Sequence, residues 1–215
     1  MPSRLRLTAA GLTTGAVLLG LTGCTGLDQA SAAGISRDDM VSEMAVQLAR
    51  VTGLTYTATY QLAGGDTATV TQAQKPTRTA YDFPGGRLVE ETAGTVRCSA
   101  KRECTRTAPQ PATALPLPGS TLVTPEAALA LLNAATLDQD VEVTPHDTTI
   151  AGRHATCLDL TRVDGTPTSE FGICVTNEGA LGSFAATIAG TRYEQAMTAY
   201  KEKAAPEAFE AQTLR

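Results

Sequence analysis

The spacing of apolar residues along the chain changes near residue 53. Between residues 36 and 51 the apolar positions recur at intervals of three and four, the period of an amphipathic helix. Asp38 and Asp39 fall in the first turn of this segment and Gly53 follows it, as expected for helix termini. In residues 54–62 every second position is apolar, including Tyr56 and Tyr60. The sequence therefore predicts a helix followed directly by a half-buried strand, with both tyrosines in the core.

Further strand-like segments follow, separated by glycine, proline and aspartate. Four of them are predicted at residues 67–75, 77–83, 87–93 and 95–99. Short consecutive strands joined by tight turns favour an antiparallel meander, because parallel neighbours need long crossover connections.

Residues 107–121 contain four prolines and are not expected to form regular structure. We interpret them as a loop crossing between two parts of one sheet, with a domain boundary as the alternative. Thr124 and Pro125 are typical of an N-cap and a first helical position, which predicts a helix to about residue 135. Five more strands are predicted at residues 141–150, 154–163, 169–176, 181–188 and 191–200. Two helices segregated from about ten strands indicate an α+β or mainly β fold.

The first 24 residues have the pattern of an export signal. Arg4 and Arg6 precede an apolar run at residues 7–21, and Leu21-Thr22-Gly23-Cys24 resembles a bacterial lipobox. We therefore expect residues 1–23 to be a lipoprotein signal peptide, with cleavage before Cys24 and lipidation of that cysteine. The alternatives are an ordinary signal peptide with a fortuitous cysteine, and a membrane span, for which the run is short.

Residues 24–36 are expected to be the lipidated cysteine and a flexible tether, and residues 37–215 a single domain. The two acyl chains of a diacylglycerol make a stable anchor. This arrangement predicts a protein held at the extracytoplasmic face of a bacterial cell membrane.

The charge of the chain argues against nucleic acid as a partner. The full sequence has a net charge of −5. Removal of residues 1–23 takes away two of the 17 basic residues and none of the 22 acidic ones, which leaves −7. An acidic protein has no electrostatic attraction to phosphate backbones or anionic lipid heads, so the expected membrane contact is the lipid anchor.

Five cysteines are an odd number for an exported protein. Lipidation of Cys24 leaves four, which an oxidising exterior favours as two disulfides. Of the three possible pairings we prefer the sequence-local one, Cys98 with Cys104 and Cys157 with Cys174. Their loops would contribute about 2.4 and about 3.2 kcal/mol by the chain-entropy estimate.

Metal and catalytic signatures are weak in this sequence. A zinc site is the alternative to the disulfides, but the cysteine spacings lack short ligand pairs and neither His146 nor His154 is expected to complete a site. Both histidines are expected at strand ends on the surface. The sequence contains no HExxH, GxSxG or phosphate-loop motif. We therefore predict no enzyme activity, no metal and no cofactor.

Two pairs of neighbouring carboxylates are candidate acid and base groups. Asp38 with Asp39 and Asp138 with Asp140 are better explained as helix-start and loop charges.

The order of these features resembles a known family. The segments LTYTATYQLAGGDTATVTQ and GRHATCLDL, followed by FGICVTNEGALGSF, resemble actinobacterial lipoproteins of the LolA-like superfamily, with an LppX/LprG-like layout. The resemblance implies a strongly curved antiparallel β-sheet, a half-barrel, with helices over the concave face. It also implies that the helices near residues 38–51 and 124–135 cover the concavity and that the disulfides join strand pairs. It transfers no catalytic residue and no individual ligand contact.

The resemblance implies a non-enzymatic protein that binds or carries a lipid or other amphiphile in a concave apolar cavity. The alternative is a cell-envelope interaction, scaffold or sensor protein with a protein partner and no small-molecule ligand.

Overall fold

The computed structural model describes residues 36–109, 117 and 119–210. The predicted signal peptide, Cys24 and almost all of the predicted tether lie outside these residues, as do most of the residues between positions 110 and 118. No helix within the described residues is long and apolar enough to cross a membrane.

Both predicted helices are present. Helix α1 covers Arg37–Ala49, and the Oγ atom of its N-cap Ser36 accepts a hydrogen bond from the backbone N–H of Asp39 at 3.2 Å. A 3₁₀ turn at Arg50–Gly53 continues it. Helix α2 covers Pro125–Thr136, and Thr124 Oγ1 accepts from the N–H of Ala127 in the same way. These caps satisfy backbone donors that have no partner within a helix.

Eleven strands form one sheet in which every described pairing is antiparallel. The strands are β1 Tyr56–Leu62, β2 Thr67–Gln74, β3 Thr77–Phe83, β4 Gly86–Glu91, β5 Gly94–Ser99, β6 Cys104–Thr107, β7 Glu142–Ile150, β8 Arg153–Thr161, β9 Glu170–Thr176, β10 Leu181–Ile188 and β11 Thr191–Lys201. The sequence predicts all of them except β6. That strand has only four residues, all exposed, so it has no apolar alternation to predict it.

The order across the sheet is β6-β5-β4-β3-β2-β1-β11-β10-β9-β8-β7. Two meanders, β1 to β6 and β7 to β11, are therefore joined by pairing of the first strand with the last. The sheet is open, with β6 and β7 as its edges. Because β6 precedes β7 in the chain, the residues between them connect opposite edges of the sheet.

The two helices cover one face of this sheet. Val41, Met44 and Leu48 of α1 and Leu131 and Leu132 of α2 belong to one buried cluster with apolar residues of β8, β9 and β10. A second cluster on β1 to β4 and β11 contains buried tyrosines, leucines and Met197. The helices and the inward side chains thus fill much of the predicted concavity with core.

The opposite face carries the C-terminal segment. A 3₁₀ turn at Pro206–Phe209 places Phe209 in a buried cluster with Val89, Val96 and Cys98. The guanidinium carbon of Arg78 lies 4.0 Å from the Phe209 ring centroid. This cation–π contact and the apolar packing hold the segment against the face that the helices do not cover.

Side-chain contacts between strands that are not neighbours show that the sheet is curved. Arg153, at the start of β8, forms ion pairs of 2.7 Å with Glu178 and with Glu202, the residue after β11. Its guanidinium carbon also lies 4.8 Å from the Tyr200 ring centroid in β11. Strands β9 and β10 stand between β8 and β11, and in a flat sheet that interval would be roughly 14 Å. Long side chains such as arginine can span much of that interval. The short side chain of Ile150 in β7 cannot, yet its Cδ1 atom lies 3.0 Å from the position that a Cβ atom on Gly182 of β10 would occupy, also three strands away. The sheet is therefore curved.

Candidate functional site

A groove of about 440 Å³ lies between helix α1 and the edge of the sheet at β7 and β8. Its lining consists of Met40, Glu43, Met44, Gln47, Pro145, His146, Asp147, Thr156 and Leu158. The volume falls within the range of small-molecule pockets.

The period of α1 places its groove residues on one side. Met40 and Met44 are one helical turn apart, and Leu158 of β8 is buried in the same cluster as Met44. The Nε2 atom of Gln47 donates to the carbonyl oxygen of Thr176 at 2.7 Å, which fixes the end of α1 against β9. Methionine side chains adapt their shape readily, so this wall can accommodate apolar groups of different outline.

The rim of the groove is polar and acidic. Glu43 is exposed, and the carboxylate of Asp147 accepts a hydrogen bond of 3.0 Å from Thr156 Oγ1 across the β7–β8 pair. Among the described residues, no lysine or arginine lines the groove. An apolar floor with a carboxylate rim suits an amphiphile whose head group is neutral or positively charged.

The structure contains both sequence-local disulfides. The Cys98–Cys104 bond joins β5 to β6 and the Cys157–Cys174 bond joins β8 to β9, with S–S distances of 2.07 and 2.08 Å. Each bond links residues directly opposite each other in the ladder. Cys24 lies outside the described residues, so its lipidation stays a prediction.

The two histidines do not have the same setting. His154 is at the start of β8, as expected, with its Nδ1 atom 3.3 Å from the side-chain oxygen of Asn177. His146 is exposed, as expected, but the expectation that it lies at a strand end is wrong. It lies in the middle of β7, directly opposite Cys157.

A three-residue row follows from this register. Cys157 is opposite both His146 and Cys174, and the sulfur atoms and one imidazole nitrogen lie within 4.8 Å of one another. The Nδ1 atom of His146 is 3.5 Å from a carboxylate oxygen of Asp159. The sequence could have indicated this row, because the two-residue turn Ala151-Gly152 determines which residues of β7 and β8 are opposite each other.

The two pairs of neighbouring carboxylates make local contacts at a helix start and in a loop. Asp39 accepts a hydrogen bond of 2.6 Å from the Ser36 hydroxyl at the start of α1. Asp138 accepts from the backbone N–H groups of Asp164 and Asp140, and these bonds lower the pKa of its carboxyl. Both groups act in a helix start and a loop, as predicted.

Sequence reasoning missed a group of tyrosines and carboxylates under the N-terminus of α2. The hydroxyl of Tyr81 lies 3.5 Å from a carboxylate oxygen of Glu126. Burial raises the pKa of Glu90, and the nearby charge of Glu126 raises it further. These residues come from β3, β4 and α2, so only the tertiary packing brings them together.

No protein-family model and no curated protein matches the sequence. Several solved structures show a distant likeness, among them the following two. One is an uncharacterized conserved protein from Thermus thermophilus, with 10% identity and a TM-score of 0.49, over 79% of this chain and 91% of that one. The other is a DUF1329 family protein from Desulfovibrio piger ATCC 29098, with 12% identity and a TM-score of 0.32, over 82% and 98%. At these values the likeness assigns neither a family nor a function.

Proposed function

We propose that this chain is an extracytoplasmic lipoprotein of the LolA-like kind, anchored through Cys24, that binds an amphiphile without catalysing a reaction. The observation that carries the proposal is the groove between α1 and strands β7 and β8. The apolar part of the ligand would lie against Met40, Met44 and Leu158, and its head group at the acidic rim.

The central part of the helix-covered face is a poorer candidate. Large side chains such as Tyr60, Leu131 and Phe184 are almost fully buried there. A ligand inserted between the helices and the central strands would have to displace packed core residues. Protein interiors are close-packed, so they contain little free volume for a ligand. The groove at the edge of the sheet needs no such displacement.

The position of the groove suits a ligand taken from a membrane surface. Helix α1 begins immediately after the predicted tether, and the interval from Cys24 to Ser36 spans at most roughly 40 Å when extended. A membrane lipid or another envelope amphiphile is therefore within reach of an anchored molecule.

The test is to fill the groove and measure binding. The parent for this test is the full-length chain carrying Cys24→Ser, which removes the lipidation site. Thr156→Trp in this parent places a large side chain in the groove. Tryptophan is compatible with the strand that carries it, because aromatic residues are common in β-strands. Binding of monoolein is measured by native mass spectrometry below the aggregation concentration of the lipid. The unblocked chain, which carries Cys24→Ser alone, should bind monoolein, and the Thr156→Trp variant should bind it at least about tenfold more weakly.

The matched control is Val46→Trp, because Val46 is 60% exposed on α1 and does not line the groove. It should bind monoolein as the unblocked chain does. An oleoyl lysophosphatidylglycerol, which has the same acyl chain and an anionic head, should bind less well. Equal monoolein binding by both tryptophan variants, or no binding by the unblocked chain, would refute the proposed site.

A further inference from the structure

The row of His146, Cys157 and Cys174 combines three good ligands for a borderline-soft metal ion. Their ligand atoms lie within 4.8 Å of one another, and no other such group of three occurs in residues 36–109, 117 and 119–210. Thiolate and imidazole are the ligands that Zn²⁺ prefers. In the disulfide form, however, neither sulfur is a thiolate, so the row then offers only the imidazole.

We propose that the Cys157–Cys174 disulfide masks a Zn²⁺ site that a thiol reductant uncovers. A dithiol reductant supplies two electrons and two protons, so the S–S bond breaks, two cysteine thiols form and the reductant becomes a disulfide. Zn²⁺ then displaces both thiol protons, which pass to water, and forms two bonds to sulfur and one to the imidazole nitrogen. Water takes the fourth position. This site shares His146 with the lining of the groove, but Zn²⁺ binding does not depend on amphiphile binding.

The geometry requires only side-chain movement. The Cα atoms of Cys157 and Cys174 are 4.0 Å apart, and two sulfurs bound to one tetrahedral Zn²⁺ lie roughly 3.8 Å apart. Rotation of the two thiol side chains can provide that separation while the β8–β9 ladder stays paired. The imidazole is already directly opposite Cys157 in the β7–β8 ladder.

Asp159 and the sheet edge complete the arrangement. A carboxylate beside the imidazole, here 3.5 Å from Nδ1, is the usual partner that orients a metal-binding histidine. The His146 side chain is 50% exposed and lies on the edge strand, whereas Cys157 is buried. The ion therefore has a route to the sulfurs from the histidine side.

The test uses Co²⁺ as a spectroscopic probe for Zn²⁺. Full-length chain carrying Cys24→Ser is reduced with dithiothreitol, freed of reductant without oxygen and titrated with Co²⁺. We expect one equivalent to give a thiolate-to-cobalt charge-transfer band, which Zn²⁺ then removes by displacement. The oxidised chain should give no such band. His146→Gln should weaken Co²⁺ binding by at least about tenfold.

Two controls separate this site from other thiols and histidines. His154→Gln changes the other histidine, and the Cys98→Ser, Cys104→Ser double variant removes the other disulfide. Both should bind Co²⁺ as the parent does. Loss of the band in the double variant, or equal affinity in His146→Gln and parent, would overturn the site.

Circular dichroism covers the case in which reduction unfolds the chain. If the reduced chain loses its sheet spectrum, one equivalent of Zn²⁺ should restore the spectrum in the parent and not in His146→Gln. A reduced chain that stays unfolded with Zn²⁺ would equally refute the proposal.

Discussion

Two tyrosines on the same face of β1 differ in one hydrogen bond. Tyr56 and Tyr60 are both almost fully buried, and burial is the main cause that raises the pKa of each hydroxyl. The hydroxyl of Tyr60 donates to the carbonyl oxygen of Leu181 at 2.7 Å. The buried hydroxyl of Tyr56 has no hydrogen-bond partner among the described residues. A buried polar group without a partner lowers the free energy of unfolding, whereas a buried hydrogen bond raises it. The Tyr56 hydroxyl is therefore destabilising and the Tyr60 hydroxyl is stabilising.

We therefore expect opposite results from the same substitution at these two positions. Tyr60→Phe should lower the free energy of unfolding by about 1–2 kcal/mol, because it removes a buried hydrogen bond and leaves the Leu181 carbonyl without it. Tyr56→Phe should leave that free energy unchanged or raise it by about 1 kcal/mol. Urea unfolding of the two variants measures both values. A loss of equal size in both would contradict this account.

At the scale of elements, one glutamine joins β11 to the segment that leads into α2. The side-chain oxygen of Gln195 accepts from the N–H of Val123 at 2.7 Å, and its Nε2 atom donates to the Val123 carbonyl at 3.0 Å. Both residues are buried. This amide pairs with the backbone as a neighbouring strand would, and it satisfies two groups that water does not reach.

Gln195→Ala should therefore destabilise the chain strongly for a single polar residue. It leaves the N–H and carbonyl of Val123 buried without these partners, so the free energy of unfolding should fall by about 2–4 kcal/mol. Gln61→Ala on β1 is the matched control, because Gln61 is exposed and its amide donates only to the Asp66 carbonyl at 2.9 Å among the described residues. Chemical denaturation should show a change below about 0.5 kcal/mol there.

The elements themselves were largely predictable from the sequence. The alternation in β1 matches the burial of its side chains, and the cap residues Ser36 and Thr124 begin α1 and α2 as expected. Strand β6 was not predictable, because its four residues are exposed and it is defined only by pairing with β5. Local pattern therefore identifies strands that bury one face, and misses an edge strand that buries neither.

The candidate sites were less predictable, for two different reasons. The row containing His146 could have been inferred, since a two-residue turn sets which residues of β7 and β8 are opposite. The groove could not have been inferred from the sequence, because its volume depends on where α1 lies relative to β7 and β8. That position is set by packing between residues far apart in sequence, such as Met44 and Leu158.

At the scale of the whole molecule, one half-buried carboxyl, that of Glu90, should influence how stability depends on pH. Burial and the charge of Glu126 raise the pKa of Glu90 in the folded chain above its ordinary value of 4.5. Below that value Glu90 is protonated in the folded and unfolded chains alike. As the pH rises through the folded-state pKa, the folded chain loses the stability that depends on the protonated carboxyl.

Glu90→Gln should remove this dependence, because the amide resembles the protonated acid. The variant should match the parent below about pH 4.5 and be more stable at pH 7, with the difference growing between these values. Glu91→Gln is the control, because a carboxylate oxygen of Glu91 lies 4.0 Å from a guanidinium nitrogen of Arg106. This variant should show no gain in stability at pH 7. Thermal unfolding from pH 4 to 8 measures both; a constant difference between Glu90→Gln and parent would exclude the explanation.

The pairing of β1 with β11 also sets the order in which the chain can fold. The hairpins within each meander can form as soon as their own residues are available, because their contacts are local. The pairing of β1 with β11 cannot form as early, because it joins distant parts of the chain. Its hydrogen bond from Thr198 to the carbonyl of Thr59, for example, joins residues 139 positions apart. Until β11 has emerged, β1 has an unpaired edge at what will become the middle of the sheet. A chain that crosses a membrane from its N-terminus would thus need protection from aggregation until nearly all of it has been exported.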